Sequence, residues 1–229
     1  MKTMRRLILV AVVSAFVAAP AFADTVQVYQ QAGYSFGNGG EFTAKPGGWG
    51  WDPLKYYDES TSNIGNYDPS FQTFCIETSE FFTPGVTYNV TFGSRAMYGR
   101  QPSGDPISIG TAWLYHEFQN QTLDDYAWDP AGGRSASAGA LQATIWWLEG
   151  EGDDPGAGNI FRQAVVGQFG DVDTAMANNN GAYPVLVMSL WTLDGGVAQD
   201  MLVCVPIPAA VLLAMLGMVA AGLKLRKFV

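Results

Sequence analysis

Histidine and cysteine are nearly missing from this chain: its 229 residues include one histidine, His116, and two cysteines, Cys75 and Cys204. That scarcity excludes a His-rich metal site, and any Ser-His-Asp triad would hang on one imidazole that helical spacing sets beside Trp113. No Gly-x-Ser-x-Gly frame goes with it, so His116 reads as an ordinary core or surface residue. The glycine-rich stretch 35–50 lacks the Gly-Lys-Ser/Thr ending of a phosphate loop, and its glycines read as turn residues. No repeat of 20 to 50 residues is present, which excludes a solenoid or propeller. Basic residues are scarce too. Between Asp24 and Cys204, Lys45, Lys55, Arg95, Arg100, Arg134 and Arg162 face all 21 acidic residues, a net charge of −15. Such a surface argues against nucleic acid or anionic lipid as a partner. The acidic run Glu149-Gly-Glu151-Gly-Asp153-Asp154, with Asn159, lacks the alternating ligand spacing of an EF-hand and reads as a solvated loop. No catalytic residue, metal or cofactor is predicted.

What is present begins at the ends. Lys2, Arg5 and Arg6 precede the apolar run Leu7 to Val17, and Ala21-Phe22-Ala23 supplies a small-x-small cleavage site, so residues 1–23 read as a signal peptide. No charge occurs between Met201 and Leu223; then Lys224, Arg226 and Lys227 follow within four positions. That is the pattern of a membrane helix with a basic cytoplasmic end. Val205-Pro206-Ile207-Pro208 delays regular helix to about Pro208, leaving a rise of roughly 24 Å against a hydrocarbon core of roughly 30 Å. Residues 204–229 resemble the PEP-CTERM class of sorting tails in its Val-Pro-x-Pro variety, with Ile207 and Pro208 where the commonest form has Glu and Pro. The resemblance implies processing by an exosortase in a Gram-negative bacterium, often one making exopolysaccharide; a permanent single-span anchor is the alternative.

The remaining segment, 24–203, has high aromatic and glycine content and few charges, which suits a loop-rich extracellular domain rather than a disordered stalk. Thr25 to Tyr29 alternates weakly, and Tyr34 to Asp68 carries turn signals such as Asn38-Gly39 and Pro46-Gly47-Gly48. Phe71 to Glu77 and Val86 to Phe92 read as strands, the second with Val86, Tyr88, Val90 and Phe92 on one face. After Pro106 the period becomes helical. Ile109, Ala112, Trp113 and His116 predict a helix over Ser108 to Gln119 that buries Trp113. A second helix is expected from a Ser135 or Ser137 cap to Glu149, with Gly150 as the stop and Leu141, Thr144, Ile145 and Leu148 as its stripe. Asn159 to Met176 is a third candidate, interrupted by Gly167 and Gly170. Strands return at Tyr183 to Thr192 and Val197 to Cys204, joined by a turn at Asp194-Gly195-Gly196. The expected fold is α+β: a β-sandwich or barrel-like subdomain with a helical insertion at about 106–178, plus the C-terminal transmembrane helix.

Two strings stand out chemically. Phe71-Gln72-Thr73-Phe74-Cys75-Ile76-Glu77 sets a cysteine among apolar neighbours, and Leu141-Gln142-Ala143-Thr144-Ile145-Trp146 sets a glutamine one helical turn before a tryptophan. Together they resemble the thioester domains of bacterial surface adhesins. Ile109 to Tyr115 before the glutamine helix, and Glu149 and Glu151 after it, extend the likeness over about Phe71 to Phe161. The resemblance implies that the Cys75 thiol and the Gln142 carboxamide condense, with loss of ammonia, into an internal thioester open to amine attack. On a helix Gln142 and Trp146 are neighbours at i and i+4, so the indole is expected to wall one side of the site, with Phe74 or Ile76 on the strand side.

From the residues alone three states of Cys75 stay open: the thioester, a free buried thiol, and a disulfide to Cys204. The functional expectation is a surface adhesion or cross-linking protein that captures an amine-bearing protein or glycan covalently, once per molecule, and is therefore not an enzyme. It would be exported, held first in the inner membrane, and displayed on the cell surface or in the extracellular matrix. The alternative is a non-covalent structural or carbohydrate-binding matrix protein with an inert Cys75 and aromatic residues that stack on sugars.

Overall fold

A computed structural model describes residues 24–48, 70–97 and 103–205. The expected signal peptide, and Pro206, Pro208, Lys224, Arg226 and Lys227 of the expected tail, lie outside the described residues. Among the described residues no helix is long and apolar enough to cross a membrane.

The fold is α+β. Strands β1 (Thr25–Tyr29), β4 (Phe42–Gly47), β5 (Phe71–Thr73), β6 (Thr87–Gly93), β9 (Val185–Trp191) and β10 (Val197–Cys204) form one antiparallel sheet in the order β10-β9-β6-β1-β4-β5. Two short ribbons stand outside it: β2 (Ser35–Phe36) with β3 (Gly39–Gly40), and β7 (Arg95–Ala96) with β8 (Asp105–Pro106). Four helices, α1 (Ile109–Gln119), α2 (Arg134–Leu148), α3 (Ile160–Phe169) and α4 (Val172–Ala175), fall between β8 and β9.

The two edge strands of the sheet meet. Past Thr73 the chain leaves β4 and bridges β10 at Cys75 and Met201, with the Ile76 N–H donating to the Asp200 carbonyl and the Leu202 N–H to the Phe74 carbonyl. The strand expected over Phe71 to Glu77 is therefore short, because the chain changes partners midway.

Period-two alternation then divides the apolar residues. Val26, Val28, Phe42, Ala44, Cys75, Tyr88, Val90, Met188, Leu190, Met201 and Val203 share one cluster. Phe74, Ile76, Val185, Val187, Leu202 and Cys204 turn the other way and pack with the helices. Cys75 and Cys204 thus lie in different clusters, and neither is bonded to the other. That excludes the disulfide alternative; Cys204, the last residue of β10, is buried in the helix-side core.

The helices begin and end close to where their periodicity predicts, with three corrections. Trp113 is only partly buried, set edge-on against Phe169, while Ala112, Leu114, Tyr115 and Phe118 form the core face of α1. The helix is covered by both sheet and neighbouring helices, so its buried arc is broader than one stripe. Helix α2 starts from Gly133 at φ 107°, a backbone conformation that favours glycine, and has no side-chain cap. The hydroxyl of Ser135 instead donates to the Ser35 carbonyl, and that of Ser137 accepts from the Ala127 N–H. Gly167 does not interrupt α3, which ends at Gly170 with φ 84°.

One ion pair locks the β2–β3 ribbon to the start of α2. Arg134 and Glu41 are fully buried: Arg134 Nε donates to Glu41 Oε2 at 2.8 Å and a terminal nitrogen to Oε1 at 2.6 Å. The Tyr126 hydroxyl donates to Glu41 Oε2, Arg134 also donates to the Trp128 carbonyl, and the guanidinium lies 4.2 Å from the centroid of the Tyr34 ring. A cation in the first turn opposes the helix dipole, and the carboxylate restores the favourable sign there. Glu41→Gln is expected to destabilise the fold by about 3–5 kcal/mol, because it leaves a buried guanidinium without its counter-charge. Adding Arg134→Met should recover part of that loss, and denaturant unfolding of the single and double variants measures both effects.

Candidate functional site

Because Cys75 faces Met201 as a non-hydrogen-bonded pair, its own N–H and C=O point away from β10. Both groups find the side chain of Gln142. The Cys75 N–H donates to Gln142 Oε1 at 3.1 Å, and Gln142 Nε2 donates to the Cys75 carbonyl at 2.8 Å. The carboxamide therefore takes the place that a peptide unit of a further strand would occupy. A second backbone donor, the N–H of Gly40, reaches Oε1 at 3.4 Å. The two residues singled out in the sequence are brought together and buried.

Helix α2 aims Gln142 at this point. Leu141 and Ile145, on either side of it along the helix, are wholly buried in the helix-side cluster and fix the rotation of α2. Phe74 and Ile76 belong to that same cluster. They seat the helix rather than border the thiol, which corrects their expected role as the strand-side wall. The thiol's side of the sheet is bordered by Phe42 and Phe82, whose rings meet edge to face at 5.0 Å.

Trp146 is half-buried against the cluster that holds Cys75, and its indole N–H is buried without a partner among the described residues. The β2–β3 ribbon closes over it and over Gln142. A Cβ on Gly39 would come within 2.6 Å of the Trp146 ring and 2.9 Å of Gln142 Cγ, so only glycine fits. Gly40, at φ 93°, turns its N–H onto the carboxamide.

Carboxylates gather beside the pair. Burial, reinforced by the nearby Glu80 charge, pushes the Cys75 thiol well above the ordinary range, so it rests protonated. Burial likewise raises Glu77 to about 8, helped by the charges of Glu151 and Glu80 and by a hydrogen bond with Glu151. Glu149, raised by burial to about 7 despite its hydrogen bonds from Ser108, accepts from both the N–H and the hydroxyl of Ser108, the cap of α1. Glu151 accepts from Thr78, and Asp154 pairs with Arg162. The acidic run expected to be a solvated loop is thus partly structural, holding α2 to α1 and to the segment after Cys75. Among the described residues no group of three or more His, Cys, Asp or Glu side chains is arranged to hold a metal.

Beside the pair opens a cleft of about 170 Å³ whose wall includes Cys75, Glu80, Phe42, Phe82, Asn38 and Gln199. A larger cleft of about 390 Å³, lined by Arg95, Asn178, Asn180 and Tyr183 among others, includes neither Cys75 nor Gln142. Glu80, Phe82, Gly39 and Gly40 were not legible as site residues. Asn38-Gly39 reads as a turn, and nothing in the local pattern of Glu80 except its distance of five positions from Cys75 marks it.

Two outcomes follow from this geometry. Gly39→Ala is expected to cost about 1–3 kcal/mol by overpacking and to part the carboxamide from Cys75, measured as faster hydrogen exchange at the Cys75 amide. Glu77, Glu80 and Glu149 all bind their protons more tightly folded than unfolded, so the native state holds more protons between the ordinary carboxylate range and about pH 8. Stability should therefore fall as pH rises through that window, with a higher thermal midpoint near pH 5 than near pH 8 and a flatter profile in Glu77→Gln. No family model matches the chain, and neither the curated proteins nor the solved structures contain a match to it.

Proposed function

We propose that this is a surface-displayed adhesion or cross-linking protein whose Cys75 and Gln142 form an internal thioester that captures an amine nucleophile covalently. The observation that carries the reading is the double hydrogen bond between the Gln142 carboxamide and the backbone of Cys75, with Gly40 as a second N–H donor to the same oxygen. A carboxamide is a poor electrophile until its carbonyl is polarised. Two N–H groups aimed at Oε1 do that, and they stabilise the oxyanion that develops when sulfur adds to the carbon. The thiol proton leaves with the amide nitrogen as ammonia. Attack by an amine then reverses the logic: the carbon–sulfur bond breaks, the Cys75 thiol returns and an amide to Gln142 remains. Each molecule acts once, so the protein is not an enzyme.

The fold supports the same reading. A sheet whose edges meet at Cys75, with four helices inserted between β8 and β9, fits the barrel-like subdomain with a helical insertion that the resemblance to adhesin thioester domains implies. Burial of the pair slows hydrolysis, while the cleft at Cys75 gives a nucleophile a way in. The signal peptide and the exosortase-type tail would export the chain, hold it first in the inner membrane and deliver it to the cell surface or matrix. The target is an amine of a neighbouring protein or glycan.

A second reading rests on the same hydrogen bonds, since a buried glutamine satisfied by backbone is also a stable structural element of a non-covalent matrix protein. Intact mass separates the two. The exported protein is expected to be lighter than its sequence by one ammonia, and methylamine should add at Gln142 while releasing one thiol at Cys75. A protein of unreduced mass, with the Cys75 thiol free and Gln142 unlabelled after prolonged amine treatment, would overturn the proposal.

A further inference from the structure

We propose that Glu80 is the catalytic base of this acyl transfer: it holds the incoming primary ammonium in the cleft beside Cys75 and takes its proton. The inference rests on the thioester reading above and adds to it the group that makes a protonated amine reactive.

At neutral pH an alkyl amine arrives as its ammonium ion, with a pKa of about 10.4 for a lysine side chain, and has no lone pair to attack with. The site must therefore remove a proton. Glu80 is the one carboxylate among the described residues lining the cleft that also contains Cys75, and that lining includes no basic side chain. Its Oε2 is buried without a hydrogen-bond partner among the described residues, an acceptor with an unfilled place. Phe42 and Phe82, beside it in the wall, suit the methylene stem of a lysine.

The other carboxylates nearby are engaged elsewhere. Asp200 Oδ2 accepts from the Met97 N–H, Glu77 is hydrogen-bonded with Glu151, and none of the three lines the cleft. Their charges nevertheless act on Glu80. Burial first, then the charge of Asp200 and that of Glu151, raise its pKa to about 7 against the lowering effect of the Asp200 backbone N–H. A base poised near neutrality is matched to the task.

The protons balance. The ammonium gives one proton to the Glu80 carboxylate and becomes a free amine. Its nitrogen adds to the Gln142 carbonyl carbon, the carbon–sulfur bond breaks with its electron pair going to Sγ, and a second nitrogen proton passes to that sulfur. Cys75 ends as a neutral thiol, the form its burial favours. Glu80 returns its proton to solvent. The sum is thioester plus ammonium giving amide, thiol and one proton.

The test uses the exported full chain with Nα-acetyl-lysinamide as the cationic nucleophile and hydroxylamine as one that is uncharged at the same pH. Intact mass first records the bond in the native protein and in Glu80→Gln. With the bond present in both, Glu80→Gln is expected to react with the lysine probe about 100-fold more slowly near pH 8 and with hydroxylamine at an unchanged rate. The native rate should rise with pH, bend near 7 and level off. In Glu80→Gln it should climb about tenfold per pH unit without a bend, following the free amine. Equal rates and equal profiles would overturn the role of Glu80 while leaving the thioester intact. If Glu80→Gln lacks the bond, the native profile alone decides: a bend near 7 supports the base and an unbroken rise excludes it. A native protein without the bond overturns the thioester reading and this inference together.

Discussion

The buried pair of Glu41 and Arg134 holds the site in register. Glu41 directly follows β3, whose Gly39 and Gly40 cover and hydrogen-bond Gln142, and Arg134 opens α2, the helix that carries Gln142 two turns later. One bidentate contact across 93 residues of chain therefore positions both the carboxamide and its second N–H donor. A buried ion pair is a costly way to gain stability, since desolvation offsets much of the attraction. Its value here lies in directionality. Apolar packing would tolerate a shift of the ribbon along the helix, but a guanidinium fork donating two hydrogen bonds to one carboxylate does not.

A second constraint is the meeting of the sheet edges. At most strand positions the backbone N–H and C=O are used up by neighbouring strands. Cys75 lies where β4 has ended and β10 takes over, so one side of its peptide is left over for a side chain. Gln142 fills that vacancy with matching donor and acceptor. Glycine at 39 and 40 is what lets a ribbon close over the filled position without displacing the tryptophan. The acidic surroundings follow from the same crowding: segments from after β5, after α2 and from β10 converge there, and burial raises the proton affinity of Glu77 and Glu80 in the first of them.

Local patterns foretold a good deal of this. The alternation in β1 and β6, the stripe of α2 and the glycine stop after it are all written in residues that lie close in sequence, because strand and helix periods act over one or two turns. Cys75 and Gln142 were conspicuous for another reason, being chemically unusual side chains in apolar frames. Phe74 and Ile76 were misassigned because adjacency to Cys75 in sequence means opposite faces in a strand. Trp113 was misjudged because a helix covered on more than one side has no single buried stripe.

Composition and periodicity were enough to establish an acidic chain of mixed strands and helices and most of its longer elements, while the resemblance of two short strings to adhesin thioester domains singled out the pair of residues on which its chemistry is proposed to turn. They could not show that Glu41 and Arg134 would meet, that Cys204 would pack away from Cys75, or that Glu80 would share a cleft with the thiol. The first two relations join segments tens of residues apart, and all three are fixed by strand pairing and by the fit of α2 against the sheet. No local propensity encodes such contacts, because their energies exist only once the chain has closed around them.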